Sequence, residues 1–220
     1  MSEENEIKER IFTAAEQMFL QYGFAKVTMD EIASSLGMSK KTLYKFFSGK
    51  ENLVIELIKS RQCETEDYIN QIWAKPDLDF VGKLKEMMDF LGKQSSKIRG
   101  PLFDDLRKNM PELWNELHDF KKIKGLQKAT ELFNKGVEDG VFRKDIGRDF
   151  VILMYTSAIQ TIINPETLAQ LPFSTGQAIE TVFKVIFEGI FTEEGRTKYN
   201  SYQIEDQVKE NEIKWVSENI

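Results

Sequence analysis

Apolar residues recur at helical spacing along almost the whole chain, and this pattern constrains the fold more than any other feature of the sequence. Near the N-terminus they follow the i, i+3, i+4, i+7 rule, which places them on one face of a helix. These residues are Ile11, Ala14, Ala15, Met18, Phe19 and Tyr22. No alternation of apolar and polar residues bounded by turn residues occurs, so we expect no sheet. The sequence therefore predicts an all-α fold.

Capping residues and glycines mark the helix boundaries. Two capping boxes of the form Ser/Thr-x-x-Glu pair Thr28 with Glu31 and Ser48 with Glu51, and each predicts a helix start. Between them, Gly37 suits the left-handed conformation that ends a helix. After the first helix, the predicted helices are residues 29–36, 40–46, 49–73, 77–95, 101–109, 111–140, 147–164 and 174–192. The polar segment 193–220 is either helical over residues 204–215 or loose.

The distribution of charge is more informative than its total. With 30 basic and 36 acidic residues, the formal net charge is −6, which argues against indiscriminate nucleic-acid binding. Residues 38–50 nevertheless contain four lysines and no acid. Lys40 and Lys41 follow the capping residue Ser39, where the helix dipole is already positive, at a cost of about 0.3–1 kcal/mol for each charge. Phosphate groups would offset this cost, provided that carboxylates of the same chain do not.

The segment between the two capping boxes has the pattern of a helix-turn-helix. At 100° per residue, the helix over residues 40–46 has Leu43 and Phe47 on one side. The apolar residues that face them from the preceding helix are Ile32, Ala33 and Leu36. A short helix packed on its predecessor after a glycine turn, with small and basic groups outward, has the geometry that enters the DNA major groove.

The outward residues of this motif are candidates for DNA contacts. Lysines and hydroxyls at helix starts bind phosphate, and side chains along the second helix reach base edges. We assign base edges to Lys41, Thr42 and Lys45. We assign backbone phosphates to Thr28, Ser39, Lys40, Tyr44 and Lys50. The alternative for each lysine is an ordinary solvated surface residue, and for Tyr44 a half-buried ring.

These residues resemble the tetracycline-repressor (TetR) family of bacterial regulators. The similarity runs from about residue 7 to residue 54, and its most specific pieces are YGF before Thr28, IA at residues 32 and 33, GMSKKTLYKFF, and KENL from Lys50. The resemblance implies a small DNA-binding domain, a larger helical domain that binds an effector, and a homodimer built largely from the last two helices. Because Lys41 and Phe46 depart from the usual pattern, no operator sequence can be carried over.

We expect a helix-turn-helix domain at residues 1–50, an effector-binding and dimerisation domain at 51–195, and a polar tail, part of it possibly helical, at 196–220. One helix-turn-helix exposes too little surface to select a site in a genome, so two copies should read half-sites about 34–36 Å apart. The stretches 150–163 and 178–191 are apolar nearly all round, which suits a four-helix bundle shared by two subunits. The alternative is a core within one chain.

A pocket for a small apolar effector is expected in the larger domain. Aromatic residues and methionines with few charges line such pockets, although they also form ordinary cores. The candidates are Phe80, Met87, Phe90, Phe103, Trp114, Leu117, Phe133, Met154 and Tyr155, with Met88 and Leu91 beside them.

Several classes of protein are excluded by what the sequence lacks. Cys63 and His118 are the only residues of their types, so neither a disulfide nor a thiolate or imidazole metal site is expected. No run approaches the roughly 20 apolar residues that span a bilayer, and the acidic N-terminus is unlike a signal peptide. We find no nucleophile with a base and no phosphate-binding glycine loop. We expect a cytoplasmic protein that is not an enzyme and needs no cofactor.

Outside the motif, the sequence is less informative about the single histidine, the single cysteine and one pair of aspartates. His118 either orients a ligand or is an ordinary surface residue. Cys63 has acidic neighbours that disfavour a thiolate, so a redox role is not expected. Asp104 and Asp105 are interpreted as solvated charge.

The hypothesis from sequence is a one-component regulator that acts as a repressor. A homodimer binds double-stranded operator DNA, and a small effector favours a spacing of the reading helices that does not fit the operator. The helix that begins near residue 49 would transmit this change. The alternative is an interaction protein in which the helix-turn-helix contacts a protein partner, or in which the larger domain is controlled by a protein rather than by a small molecule.

Overall fold

The computed structural model describes residues 3–95, 101–163 and 175–204. Its helices are α1 (Glu3–Tyr22), α2 (Met29–Ser35), α3 (Lys40–Phe46), α4 (Lys50–Ala74), α5 (Phe80–Ser95), α6 (Pro101–Asn109), α7 (Pro111–Glu138), α8 (Arg148–Ile163), α9 (Thr175–Ile190) and α10 (residues 193–204). Within these ranges no strand occurs, and an isolated bridge joins Phe142 to Phe191. The predicted all-α fold is confirmed. Of the possible late helix at 204–215, all but Ile204 lies outside the described residues.

The first predicted capping box forms as expected. The Thr28 hydroxyl accepts a hydrogen bond from the Glu31 amide at 3.2 Å, and the Glu31 carboxylate accepts one from the Thr28 amide at 2.8 Å. These bonds satisfy donors that have no partner within the helix, so α2 begins at Met29. Gly37 ends the turn after α2 with a φ of +64°, in the left-handed region. Both predictions from local sequence are confirmed.

The second predicted capping box, Ser48 with Glu51, is wrong. Helix α4 begins at Lys50, and the carbonyl of Gly49 accepts the first helical hydrogen bond, from the Leu53 amide at 3.0 Å. Because the helix begins after Gly49, the residue in position to fold back is Asn52. Its Oδ1 accepts a hydrogen bond from the Ser48 amide at 3.3 Å. An amide side chain thus takes the place expected for a carboxylate.

The chain divides into two compact units, of which unit 1 comprises residues 1–70 and 97–120. Its core is a single cluster of apolar side chains drawn from α1, α2, α3, α4, α6 and the start of α7. Tyr22, expected on the buried face of α1, is 51% exposed. Phe24 is buried instead, with its ring 5.7 Å from that of Phe19. The turn at Gly23 explains this exchange, because it brings the chain back over the core.

Helix α6 belongs to unit 1, although it lies far along the chain from α1–α3. Leu102 and Leu106 of α6 are buried in the same cluster as the first three helices. The carboxylate of Asp105 accepts a hydrogen bond from the Ala25 amide at 2.8 Å. Asp105 is therefore not merely solvated charge, as the sequence suggested. The functional division at residue 50 remains a prediction.

Unit 2, residues 71–96 and 121–220, is organised around Phe142. The Phe142 ring lies 5.3 Å from Phe80, 5.9 Å from Phe133, 5.6 Å from Phe187 and 5.7 Å from Phe191. A Cβ atom at Gly136 would overlap this ring, so only glycine lets α7 pass at this distance. The ring of Tyr199 in α10 packs 5.2 Å from Phe191 and extends the cluster. Aromatic packing thus dominates this core.

Helices α8 and α9 pack on each other and each buries one side within unit 2. Exposed apolar side chains occur on α8 at Phe150 (72%), Leu153 (59%) and Met154 (57%), and on α9 at Val185 (65%), which is accompanied there by exposed polar residues such as Glu180, Lys184 and Glu188. We call these four apolar residues the α8–α9 apolar surface. The expectation that both helices are apolar nearly all round is met in part by α8, but it is wrong for α9, where the described exposed residues other than Val185 are polar or glycine. Burial of a second face in a dimer stays a prediction. None of the described helices is both long enough and apolar enough to cross a bilayer.

Candidate nucleic-acid interface

Helix α3 is fixed to α2 by the apolar contacts that the sequence predicts. Leu43 is fully buried and Phe47, the C-cap, is 1% exposed. Ile32 and Ala33 of α2 are buried in the same cluster. Because α3 has only seven residues, this packing rather than intrinsic helix propensity holds it in place. The opposite side of α3 faces solvent.

The start of α3 is capped by hydroxyl groups. The Ser39 hydroxyl accepts a hydrogen bond from the Thr42 amide at 3.0 Å, and the Ser39 and Thr42 hydroxyls are themselves hydrogen bonded at 2.8 Å. No acid lies in the first turn of α3, so the positive end of the helix dipole is not offset from within the helix. An approaching phosphate would find both hydroxyl groups at this end.

Lys40 departs from the expectation that the lysines at this helix start lack carboxylate partners. Its Nζ lies 2.8 Å from Oδ1 and 2.9 Å from Oδ2 of Asp30 in α2, and 5.9 Å from the centre of the Tyr44 ring. The hydrogen bond to Asp30 raises the pKa of Lys40. Both side chains are more than half exposed, and ion pairs between exposed side chains are weak because water and salt screen them. Little free energy therefore holds Lys40 away from a competing anion.

Lys41 and Lys45 are exposed one helical turn apart on α3. In the part of the chain that the structure describes, neither side chain makes a hydrogen bond or an ion pair. Tyr44 lies beside them and is 43% exposed. Together these three residues form a solvent-facing surface with two positive charges and one aromatic hydroxyl, which we call the α3 surface.

Lys50 differs from the other candidate lysines because its Nζ is bonded into the fold. It donates hydrogen bonds to the carbonyl oxygens of Phe24 at 2.7 Å, Val27 at 2.8 Å and Ala25 at 3.4 Å. It also lies 4.5 Å from the centre of the Phe24 ring. A phosphate contact by Lys50, as predicted from sequence, would require the side chain to leave these acceptors.

The effector candidates whose side chains the structure describes divide between the two units. Phe80, Met87, Met88 and Phe133 are buried in unit 2, Phe90, Leu91 and Tyr155 are partly buried there, and Met154 is exposed on α8. Trp114 packs against the core of unit 1. The side chains of Phe103, Leu117 and His118 lie outside the described part of the structure. Burial raises the pKa of Tyr155 to about 12, and its ring packs 5.4 Å from Phe183.

An open groove of about 410 Å³ lies in unit 1 between α1 and α4. It is lined by Asn5, Lys8, Glu9, Phe12, Glu56, Lys59 and Ser60. Next to it, Arg61 of α4 forms ion pairs with Glu9 and Glu16 of α1 at 3.1 and 3.0 Å, and with Glu64. Among the residues that the structure describes, no group of three His, Cys, Asp or Glu side chains is placed to bind a metal ion.

Sequence reasoning missed Asp30 and Arg61, and it assigned Asp105 to solvated charge. The two acids of α1 that bind Arg61 are seven residues apart, which places them on one helix face and signals an acidic stripe. No local signal identifies the basic partner. Asp30 and Asp105 likewise look like surface acids until the fold brings them to Lys40 and Ala25.

Known proteins resemble this chain at two levels. A family model described as bacterial regulatory proteins, tetR family, matches residues 11–57, which include α2, α3 and the start of α4. YvaF of Bacillus subtilis, an HTH-type transcriptional regulator, is 28% identical to it over 185 residues, or 84% of this chain and 96% of YvaF.

Solved structures share the fold at lower sequence identity. The fatty acid degradation regulator FadR of Bacillus halodurans is 20% identical and superposes with a TM-score of 0.62, covering 86% of this chain and 97% of FadR. A transcriptional regulator of Saccharomonospora viridis in complex with choline is 18% identical with a TM-score of 0.60, covering 86% of this chain and all of that protein. The likeness thus extends well beyond α1–α4.

Proposed function

Because the chain is a DNA-binding transcriptional regulator of the TetR family, we propose that α3 is the helix that reads the major groove of its operator. The observation that carries this proposal is the α3 surface. Lys41 and Lys45 are exposed and, among the described residues, have no hydrogen-bond or ion-pair partner; they lie on a helix whose other side is buried, in a chain with a net charge of −6. A local cationic surface on an acidic protein favours one specific polyanion contact over indiscriminate attraction.

The DNA contacts divide by position on the motif. Lys41, Thr42 and Lys45 lie along α3 and contact base edges, with each well-placed contact contributing about 1–3 kcal/mol to discrimination. Phosphates bind at the helix starts. The residues there are Thr28, Ser39 and Lys40, and Tyr44, on the outer side of α3, is a further phosphate contact. Lys40 exchanges its exposed ion pair with Asp30 for a phosphate as the complex forms.

The protein acts as a homodimer through the α8–α9 apolar surface. Phe150, Leu153 and Met154 form one stripe on α8 by their spacing of three and four residues, and all three are more than half exposed. Exposed apolar stripes of this kind mark interaction surfaces. Covering this stripe with the same stripe of a second copy would give the isologous contact of a two-fold dimer.

A small apolar effector in unit 2 releases the protein from its operator, so that the protein represses transcription in the bacterial cytoplasm. The buried Phe80, Met87 and Phe133 provide an apolar interior, and the S. viridis neighbour in complex with choline indicates that a related fold accommodates a small organic molecule. Helix α4 begins at the recognition segment and its last residues belong to unit 2. We assign the coupling to this helix.

Selection from a random-sequence duplex library tests the DNA-binding proposal. The wild-type protein should enrich a two-fold symmetric site, and the logarithm of its affinity should fall linearly with the logarithm of salt concentration, by about 0.9 for each phosphate contacted. Lys144→Ala, which removes an exposed lysine in unit 2, should leave both results unchanged. A flat salt dependence would favour the alternative of a protein partner.

The effector proposal has a separate test on the same duplex. Small apolar molecules are screened for release of the protein, and a true effector should weaken DNA binding by about 5–150-fold. Reciprocity requires that the duplex weaken effector binding by the same factor. A molecule that releases the protein without this reciprocity acts by another route, such as denaturation.

A further inference from the structure

We propose that Lys50 and Asp105 are positioning residues for DNA recognition, which fix the backbone of the α1–α2 loop (residues 23–27), and that Lys50 is not a phosphate contact. The proposal rests on the proposed DNA-binding function. It assigns roles to two residues that the α3 surface does not include, and it takes Lys50 out of the set of phosphate contacts that the sequence suggested.

The α1–α2 loop determines where α2 begins. It leaves α1 at Gly23, which has a φ of +91°, and it ends at Thr28, whose capping box starts α2. Phe24 and Val27 anchor the loop in the core, at 6% and 2% exposure. The backbone amides and carbonyls of such a segment have no helical partners and must be satisfied from elsewhere. Any shift of this loop moves the start of α2, on which α3 is packed.

Lys50 satisfies the loop's carbonyl groups. An ammonium group has three N–H donors, and the Lys50 Nζ has three carbonyl acceptors in the loop, at residues 24, 25 and 27. The Phe24 ring, 4.5 Å away, adds a cation–π contact. Binding a phosphate would break the two short bonds and leave partly buried carbonyl oxygens without a donor, which is unfavourable.

Asp105 binds the same loop with a negative charge, at a backbone amide rather than at carbonyl groups. Its Oδ2 accepts a hydrogen bond from the Ala25 amide at 2.8 Å. Helix α6, which places Asp105 there, is itself anchored in the unit 1 core by the buried Leu102 and Leu106. Ala25 is therefore held by a cation at its carbonyl and by a carboxylate at its amide. Bonds to charged groups are the stronger kind of hydrogen bond, so this pair suits the fixing of a loop.

Positioning and phosphate contact make different predictions for salt dependence. We call the slope of log affinity against log salt concentration the salt slope. Removing a phosphate contact lowers its magnitude by about 0.9, because fewer counterions are released from the DNA when the protein binds. Removing a residue that only positions the reading helix weakens binding at every salt concentration and leaves the slope unchanged. The salt slope therefore distinguishes the two roles, whereas a loss of affinity alone does not.

The experiment measures affinity against salt for Lys50→Met and Lys40→Met on the duplex selected by the wild-type protein. These variants are matched, since each removes one ammonium group and leaves a side chain of similar length. We expect Lys50→Met to weaken binding about tenfold with an unchanged slope, and Lys40→Met, at a proposed phosphate contact, to lower the slope by about 0.9. A slope lowered equally by Lys50→Met would overturn the proposal.

Variants at Asp105 keep the test decisive if Lys50→Met fails to fold. Asp105→Asn retains an acceptor oxygen and should bind DNA nearly as well as wild type, whereas Asp105→Ala should lose several-fold in affinity with the slope unchanged. Hydrogen exchange at the Ala25 amide should accelerate in Asp105→Ala but not in Asp105→Asn. Faster exchange with unaltered DNA affinity would show that the loop does not position α3, and would overturn the proposal.

Rescue separates positioning from a general loss of stability. Lys50→Arg, which keeps the charge and several N–H donors, should recover part of the affinity that Lys50→Met loses, at equal helix content by circular dichroism. If the wild-type protein enriched no duplex, the proposed function itself would fail. If the wild-type protein binds and the Lys50 and Asp105 variants bind equally well, only the positioning role fails.

Discussion

Helices α3 and α8 each bury one side in their own unit, but their exposed sides differ in chemistry. On α3 the exposed residues are Lys41, Tyr44 and Lys45, whereas on α8 they are Phe150, Leu153 and Met154. A charged surface is stable in water, while exposed apolar area is unfavourable by about 25 cal/mol per Å² relative to burial. This difference matches the two partners of the proposed function, which are a polyanion at α3 and the apolar surface of a second copy at α8.

The largest expected effect tests whether the outer side of α8 is distinct from the core of unit 2. Phe142→Ala should lower the free energy of unfolding by about 3–5 kcal/mol, because it opens a cavity among four other aromatic rings. Phe150→Ala, at a residue that is 72% exposed, should change it by no more than about 0.5 kcal/mol at low protein concentration. Urea denaturation monitored by circular dichroism measures both.

Protein concentration sharpens this result. If Phe150 lies in a dimer interface, the effect of Phe150→Ala should grow as concentration rises, since association stabilises the folded state. The effect of Phe142→Ala should not. A large loss of stability in Phe150→Ala at the lowest concentrations would mean that the α8–α9 apolar surface is part of a core within one chain, which is the alternative that the sequence left open.

The next effect concerns self-association. Leu153→Glu should raise the dimer dissociation constant at least about 30-fold, equivalent to about 2 kcal/mol, because it places a charge at the centre of the apolar stripe. Sedimentation equilibrium measures the change. Tyr44→Glu makes a similar exposed substitution on α3 and should leave the dimer intact. Loss of the dimer in both variants would contradict the assignment of association to α8.

The third effect tests the division of DNA contacts on the α3 surface. Lys41→Ala and Lys45→Ala should each change which bases are preferred at one position, with losses of about 1–3 kcal/mol for the cognate base pair. Lys40→Ala should weaken binding to all sequences nearly uniformly. Repeating the duplex selection with each variant measures both outcomes. An altered base preference in Lys40→Ala would show that the division of contacts is incorrect.

Local sequence signals were sufficient for most of the fold. The capping box at Thr28, the left-handed Gly37 and the burial of Leu43 and Phe47 are all confirmed. Each depends on residues within a few positions of one another, where helix geometry determines which side chains meet. The failure at Ser48 has the same origin, because a shift of one residue in the helix start was enough to replace Glu51 by Asn52.

The parts of the site that the sequence could not predict depend on contacts across the fold. Lys40 and Lys50 occupy the same position in the sequence pattern, at the first residue of a helix. In the structure, however, Lys40 pairs with Asp30 at the surface, whereas Lys50 donates hydrogen bonds to loop carbonyl groups. The hydrogen bond from Ala25 to Asp105 joins residues 80 positions apart. Charge and spacing along the chain do not specify such partners, because they are set by how α2, α4 and α6 pack.

The smallest expected effect concerns the ion pair between Asp30 and Lys40. Asp30→Asn should tighten DNA binding by up to about fivefold at low salt, since it releases Lys40 for phosphate and an ion pair between exposed side chains is weak. The gain should vanish at high salt, where the pair is screened. The pKa of Lys40, which Asp30 raises, should fall toward its ordinary value, and the lysine remains charged at neutral pH.

Removing any acid near DNA also tightens binding by reducing general repulsion, so this prediction needs a matched control. Glu51→Gln removes the same charge from an exposed residue at the start of α4 and measures the general effect. The gain in Asp30→Asn should exceed it, and the excess should disappear when Asp30→Asn is combined with Lys40→Met. An excess that persists in the double variant would mean that Asp30 opposes DNA directly. The surface that meets DNA would then carry an acid of α2 beside the lysines of the α3 surface. It would differ from the exposed side of α8 by having charges of both signs where α8 has apolar side chains.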